Sequence, residues 1–335
     1  MFSHLLPTRR AEGWRWSDIQ SALNDINQRV RVPREEEWSE SAEAAVAHSA
    51  RAGNVIAALA AGTADGWYSS WGPPFSNTSN PMFDQLGEVG SVGGRELEAN
   101  EELVVVQHLK PEGGLAAHCY DFVVGPGARL TRVLLQSGDG VALVSGRVIV
   151  REFGQLRQFV LAEGAKLARI ETHVEIEGEG AEVELHGVYF CDAGRHADLT
   201  SVVTHKAANG KTKQLIKGVA RKGGRGVFQG KIVVERGARK TDARQYHHGM
   251  LLEEGAEIFA KPELMIHADD VACAHGNTAG GLDESALFYL RSRGLAEAEA
   301  RALLIEAFLL EAVPEWLPAA VRDEVEARIG AWLRS

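Results

Sequence analysis

Apolar residues between positions 97 and 270 occur in short runs punctuated by glycine, and helical periodicity nearly vanishes there. Runs such as 103–109, 141–150 and 182–190 are rich in β-branched residues, which is typical of strands. Several runs end in a unit of the form apolar-x-x-Gly-Ala-x, which predicts a tight turn with glycine at positive φ. Copies of this unit begin at Val124, Leu161, Val234 and Leu252, and a shorter copy begins at Gly180.

Repetition of one strand–turn unit without intervening helices argues against a doubly wound α/β sheet. It favours a stacked β-solenoid or a meandering β-sandwich, and a parallel β-helix is the first expectation. One coil of a solenoid cannot bury its apolar face alone, and its open ends need covering because unpaired strand edges recruit other chains. The sequence therefore predicts a mainly β protein with a β-helix core over residues 97–272.

Helical spacing of apolar residues flanks this core on both sides. Residues 1–96 are predicted to form a helical region with a linker, in which Ser17 or Asp18 caps a helix. Residues 273–335 are predicted to contain three helices, at 283–293, 296–312 and 318–333. In the third helix an apolar residue recurs every four positions, which favours internal packing over a docking face. This stripe consists of Val321, Val325, Ile329 and Leu333.

The stretch 265–294 joins the β-rich core to the first C-terminal helix. A strand is predicted over 265–271, followed by turns at Gly276, Gly280 and Gly281. This stretch also contains the best candidates in the chain for metal ligands.

Cys273 and His275 lie two residues apart, so they share one face if strand geometry persists that far. A thiolate and an imidazole on one face suit iron or zinc. Two ligands do not close a metal site, and a buried cysteine beside a hydrogen-bonded histidine is the commoner origin of such a pair. Upstream, His247 and His248 are adjacent, so at most one of them can join the face of Cys273 and His275.

Composition and charge narrow the class of protein. The chain has 335 residues, of which 45% are hydrophobic, enough to bury a sizeable core. A formal net charge of −10 disfavours nucleic acid or an anionic membrane as the main partner. The odd number of widely separated cysteines, Cys119, Cys191 and Cys273, indicates a reducing compartment. With no secretory signal and no apolar run near the ~20 residues of a membrane helix, a soluble, cytoplasmic protein is expected.

The signatures of common enzyme classes are absent from the sequence. It has no phosphate loop, no Gly-x-Ser-x-Gly elbow and no His-Glu-x-x-His zinc helix. Asp269 and Asp270 could perform acid–base chemistry, as in β-helical polysaccharide lyases, but adjacent strand residues point to opposite faces. A protein that is not an enzyme is therefore favoured, and a β-helical carbohydrate-active enzyme is the less favoured alternative.

An ordered set of motifs in the C-terminal stretch resembles the SufB/SufD family of iron–sulfur cluster assembly proteins. The motifs are Asp269-Asp270-Val271, Cys273-Ala274-His275-Gly276, Leu282-Asp283-Glu284 and the run from Phe288 to Gly294. The Cys-x-His-Gly form is similar to the SufD branch of the family, although Asn277 stands where that branch usually has alanine. Residues 7–10 and 14–18 resemble the start of SufD-like chains.

The resemblance implies a right-handed parallel β-helix flanked by N-terminal and C-terminal α-helical segments. It also implies a non-catalytic subunit of a complex with SufB and the ATPase SufC that assembles iron–sulfur clusters. A transient cluster or iron would lie at the interface with SufB, without a permanently bound cofactor, and the isolated chain could form a homodimer. The alternative within the family is a SufB-like homodimeric scaffold.

The resemblance also implies roles for individual residues. His275 would contact the nascent cluster, and Cys273 is a further possible metal ligand. His248 is the least favoured ligand, chosen because SufB carries a cysteine at roughly that position. The C-terminal helices would dock SufC, with an aromatic–arginine group as the anchor. The residues of this group that match the family motif are Phe288, Tyr289, Arg291 and Arg293.

Overall fold

The computed structural model describes residues 15–18, 21–22 and 89–335. Within these residues the chain forms fourteen strands followed by three α-helices. The N-terminal helical region predicted over 1–96 lies largely outside the described residues. At its described part, Asp18 Oδ1 accepts a hydrogen bond from the backbone N–H of Ser21 at 2.9 Å, as its predicted capping role requires.

The strands alternate along the chain between two sheets of seven strands each. The odd-strand sheet has the order β1-β3-β5-β7-β9-β11-β13, and the even-strand sheet has the order β14-β12-β10-β8-β6-β4-β2. All neighbouring strands pair in parallel. Consecutive strands of a meandering sandwich would instead pair antiparallel, so the predicted parallel β-helix is confirmed. The strands are β1 (Val89–Leu97), β2 (Glu102–Leu109), β3 (Leu115–Val124), β4 (Arg129–Gln136), β5 (Val141–Val150), β6 (Gln155–Ala162), β7 (Leu167–Ile176), β8 (Glu182–Cys191), β9 (His196–His205), β10 (Lys211–Ala220), β11 (Arg225–Val234), β12 (Asp242–Leu251), β13 (Glu257–Ile266) and β14 (Ala272–Gly280).

The repeated Gly-Ala unit marks corners of the coils. Gly127 and Gly164 have φ of 66° and 68°, the left-handed conformation that the sequence predicts. At the copy with Gly237, the left-handed residue is instead Lys240, with φ of 57°. The prediction for Gly237 is wrong because the turn there, between β11 and β12, is longer than the other turns that contain the unit.

The alanine of the unit is explained by the core. In four copies this alanine is fully buried and belongs to the apolar cluster that fills the interior of the β-helix. A larger side chain in each of these turns would displace the corner, so the small residue allows the coils to stack closely. The four residues are Ala128, Ala165, Ala181 and Ala238.

Three helices follow the β-helix: α1 (Glu284–Ser292), α2 (Glu297–Leu310) and α3 (Ala319–Arg334). They correspond to the three predicted helices. Helices α2 and α3 pack on the outer face of the even-strand sheet, and the predicted stripe of α3 belongs to this apolar cluster. Its internal-packing interpretation is therefore confirmed. No helix in the described part of the chain is long and apolar enough to cross a membrane.

The junction between the β-helix and the helices differs from the prediction. The strand predicted over 265–271 ends at Ile266, and Gly276 and Gly280 lie inside strand β14 instead of in turns. The physical reason is pairing at long range, since β14 is in parallel register with β12 over its whole length. The core predicted over 97–272 therefore ends at the first residue of β14, and the β-helix extends to Gly280.

The N-terminal residues that the structure describes lie against the outer face of the odd-strand sheet. Trp16 stacks on Phe259 of β13, with ring centroids 6.0 Å apart. The Ser17 hydroxyl donates a hydrogen bond to the Asp198 carboxylate, which also accepts one from Arg169 at 2.6 Å. Ser17, Arg169 and Asp198 are buried, so this ion pair is withdrawn from water beneath the N-terminal segment.

Four histidines whose pKa is lowered to about 4, among them buried His205 and His247, predict how stability depends on pH. Burial lowers the pKa of His205 and of His247 to about 4, against 6.5 in an unfolded chain. Between pH 6.5 and 4 the unfolded chain binds protons that the folded chain does not, so stability is lost as the pH falls. At pH 5 the loss is about 2 kcal/mol for each histidine.

Urea unfolding midpoints at pH 7.5, 6 and 5 measure this loss. The variant His205→Gln removes one of the four groups, so its midpoint should depend less steeply on pH than that of the wild type. If the urea midpoint depends equally steeply on pH in His205→Gln and in the wild type, His205 is not kept neutral in the folded state.

Candidate functional site

The C-terminal end of the β-helix is an open edge. Among the described residues, β13 pairs only with β11 and β14 pairs only with β12, so each is the last strand of its sheet. One side of each strand therefore carries backbone N–H and C=O groups without a strand partner among the described residues. Most side chains of β14 are exposed. An edge of this kind is a template for another strand.

The structure places Cys273 and His275 on one face of β14, as predicted. Cys273 packs against the interior cluster and is paired in register with buried Ala243. His275 follows two residues later on the same face and is paired in register with buried Gln245. His275 is nevertheless exposed, because among the described residues no further coil covers the inward face of β14.

The side chains of Cys273 and His275 differ in how readily they can bind a metal. Burial raises the pKa of the Cys273 thiol above its usual value, so this cysteine is protonated at neutral pH. A metal binds the thiolate, and forming it here would require a proton to leave a partly buried group. The exposed imidazole of His275 needs no such step when it is neutral, since it offers a nitrogen lone pair directly.

His248 does not join this face. It lies on the outer side of the even-strand sheet, where its Nδ1 is 2.7 Å from the Thr278 hydroxyl. Burial lowers the pKa of His248, and the nearby charge of Lys217 lowers it further. Lys217 in turn forms an ion pair with Glu311, which follows α2. The sheet therefore separates His248 from Cys273 and His275.

The histidine that does share the inward face is His247, which the sequence interpretation passed over. It is fully buried, and its register partner on β14 is Asn277. Alternation along the strand shows only that one of the two adjacent histidines points inward. The inward positions of β12 include polar Gln245 and His247. The alternation of apolar residues, which would have shown which side chains of this strand point inward, is therefore weak.

Helix α1 presents the predicted partner-binding residues to solvent. Leu287 is its buried contact, whereas Phe288 is 73% exposed and Tyr289 is 56% exposed. The guanidinium of Arg293 lies 5.1 Å from the centre of the Tyr289 ring, a cation–π distance. Arg291 is exposed and forms an ion pair with Glu297 at 3.4 Å. Large exposed aromatic side chains of this kind mark interaction surfaces.

A complete metal site is not formed within the part of the chain that the structure describes. No group of three or more histidine, cysteine, aspartate or glutamate side chains there is arranged to hold a metal ion. Within the described residues, Cys273 and His275 therefore have no further ligands with which to complete a metal site. The fold and the site thus define a parallel β-helix protein whose chemically useful residues lie on an exposed sheet edge.

Comparison with known proteins identifies the family. Residues 96–308 match the family model described as SUF system FeS cluster assembly, SufBD core domain, and the chain belongs to this family. An iron–sulfur cluster assembly SufBD family protein of Mycobacterium leprae is 30% identical over 245 residues, which are 70% of this chain and 62% of the relative. The chain therefore spans about three fifths of the length of that relative.

Two further relatives agree with this assignment. The iron–sulfur cluster assembly protein SufD of Escherichia coli is 33% identical over 167 residues, covering 50% of this chain and 40% of SufD. The chloroplastic protein ABCI7 of Arabidopsis thaliana is 32% identical over 280 residues, covering 77% of this chain and 58% of ABCI7. The resemblance to SufB/SufD proteins, and to SufD in particular, is confirmed.

Proposed function

We propose that this chain is a non-catalytic subunit of an iron–sulfur cluster assembly complex and that it acts through its open β-helix end. In this proposal the end pairs with SufB, the C-terminal helices bind the ATPase SufC, and His275 contacts the cluster that forms between the subunits. The observation that carries the proposal is the exposed imidazole of His275 on edge strand β14, one side of which has no strand partner among the described residues. Family membership supplies the chemical context.

Pairing with a related β-helix would satisfy the edge strands. The free backbone groups of β13 and β14 can continue both sheets into a partner, and main-chain hydrogen bonds would supply much of the affinity. Met265 and Ile266, at the end of β13, are 42% and 44% exposed and would be covered in the same interface. An isolated chain has the same edge available, so we expect a homodimer when SufB is absent.

The cluster is cargo in this proposal, and it is not a permanently bound cofactor. Its remaining ligands would come from SufB, because the described residues of this chain do not form a closed set. A neutral imidazole binds iron more weakly than a thiolate does, which suits a site that must release its cargo. Dimerisation of two ATP-bound SufC subunits would strain the interface and open the site for assembly.

The free thiols of Cys191 and Cys273 are compatible with a reducing compartment, so we expect the complex to form in the cytoplasm. A pull-down of the full chain from cytoplasmic extract, followed by immunodetection, tests the partners. Recovery of both SufB and SufC supports the proposal. Recovery of copies of this chain alone would favour a homodimeric scaffold instead.

Substitution of Phe288 by alanine is expected to weaken SufC binding by about 2 kcal/mol, because the exposed ring is a candidate anchor of the interface. That is roughly a 30-fold increase in Kd, measurable by calorimetry with purified SufC. Phe153→Ala is the matched control, since Phe153 is also exposed, at 61%, but lies in the turn between β5 and β6. If Phe288→Ala binds SufC as tightly as Phe153→Ala and the wild type do, α1 is not the docking surface.

A further inference from the structure

The interior of the β-helix contains polar side chains next to its C-terminal end. Along one row of paired inward positions in the even-strand sheet, Leu185 is followed by Gln214, Gln245 and His275. Burying polar groups costs free energy unless each finds a hydrogen-bond partner. In the neighbouring inward row, a polar side chain beside the open edge has such partners.

His247, in that neighbouring row, has a hydrogen-bond partner for each ring nitrogen. Its Nδ1 lies 2.7 Å from Asn277 Oδ1, and its Nε2 lies 2.9 Å from the Tyr189 hydroxyl. The ring also stacks on Phe228, with centroids 4.9 Å apart and planes within 3° of parallel. These contacts hold the imidazole in one orientation.

The partners of His247 also determine where its proton resides. Asn277 Oδ1 can only accept a hydrogen bond, so Nδ1 carries the proton and donates it. The neutral ring then has a lone pair on Nε2, which accepts the hydrogen bond donated by Tyr189. Burial lowers the pKa of His247 to about 4 and raises that of Tyr189, so both groups keep these roles near neutral pH.

Asn277 is the outermost member of this chain of hydrogen bonds. Because His247 binds its carbonyl oxygen, the –NH2 group of the same amide is directed away from His247. In the described part of the molecule no acceptor binds this –NH2 group, and Asn277 is exposed. Asn277 lies two residues beyond His275 on the same face of β14, about 7 Å along the strand. The open end thus offers an oriented donor beside an exposed imidazole.

We propose that Asn277 binds the cargo cluster by donating a hydrogen bond from its –NH2 group to a sulfide of the cluster held at His275. His247 and Tyr189 are positioning residues, because they orient the Asn277 amide without touching the cargo. This inference rests on the proposed function of His275 and adds a second contact to it. Hydrogen bonds to sulfur are among the factors that set the reduction potential of iron–sulfur clusters.

Two variants of Asn277 separate cargo binding from structural support. Asn277→Ala removes both the donor and the partner of His247. Asn277→Asp keeps an oxygen for the Nδ1–H of His247 but replaces the –NH2 group by a second carboxylate oxygen, which repels sulfide. Thr278→Val is the matched control, because it removes the hydroxyl hydrogen-bonded to His248 at 2.7 Å on the opposite face of β14.

Clusters are reconstituted on the complete complex of each variant with SufB and SufC. Cluster content per complex is measured by visible absorption, and the reduction potential is measured by redox titration. Both Asn277 variants are expected to assemble the complex but to hold on the order of 10-fold less cluster, as for other changes to residues around a metal site. The cluster remaining on Asn277→Asp should have a more negative potential, and Thr278→Val should match the wild type.

Restoration of wild-type cluster content by Asn277→Asp, but not by Asn277→Ala, would overturn the inference, because Asn277 would then only hold His247 in place. Wild-type content and potential in both variants would also overturn it. His275→Ala in the same assay tests the proposed function separately, since it can lose the cluster whatever the two Asn277 variants do.

Discussion

Substitution of His275 by alanine is expected to abolish cluster formation on the assembled complex without preventing its assembly. The side chain is exposed on the last strand, and its removal breaks no hydrogen bond within the described residues, so folding and pairing should persist. Loss of the imidazole removes the contact with the cluster that we propose for this chain. The expected decrease in cluster content is at least on the order of 10-fold.

Size-exclusion chromatography confirms assembly of the complex, and visible absorption measures its cluster content. His267→Ala is the control, since His267 is also exposed at this end of the β-helix but lies in the turn before β14. The control should keep its cluster. Unchanged cluster content in His275→Ala would remove His275 from the mechanism.

Substitution of Asp198 by alanine is expected to destabilise the protein by about 3–5 kcal/mol, because it leaves the buried Arg169 guanidinium without its closest carboxylate. Arg169 donates to Asp198 at 2.6 Å and to Glu171 at 3.0 Å, and its side chain is 2% exposed. The substitution also removes the acceptor of the Ser17 hydroxyl, which anchors the N-terminal segment. Urea unfolding followed by circular dichroism measures the change.

Two further variants serve as controls for Asp198→Ala. Asp198→Asn keeps one acceptor oxygen and should recover part of the lost stability. Lys211→Ala breaks an ion pair with Glu182 at the surface and should leave the unfolding midpoint nearly unchanged, because solvent screens exposed pairs. Equal effects of Asp198→Ala and Lys211→Ala would mean that water reaches the Arg169–Asp198 pair.

Local patterns were sufficient for most of the fold. The Gly-Ala units predicted the coils because a left-handed turn and a small buried residue are both local requirements of a corner. The three C-terminal helices were predicted because apolar spacing, and for α1 a capping residue, act within a few residues. Asp283, the predicted cap of α1, accepts hydrogen bonds from the backbone N–H groups of Ser285 and Ala286.

The candidate site was predicted only in part. The shared face of Cys273 and His275 follows from their separation of two residues, and the structure agrees. The strand that carries them was misplaced, because glycines at 276 and 280 are typical of turns. Pairing with β12 supplies the hydrogen bonds that hold this glycine-rich segment extended, and no local pattern records that pairing.

The sequence alone determined that this chain is a stack of short strands with a helical tail, and its motifs placed it in a family. These properties depend on residues close together along the chain. Only the tertiary structure decided that His247 points inward while His248 points outward, and that Asn277 meets the buried ring. Both depend on how β12 and β14 register in the sheet, which is set by contacts between residues about thirty positions apart and by the burial they create.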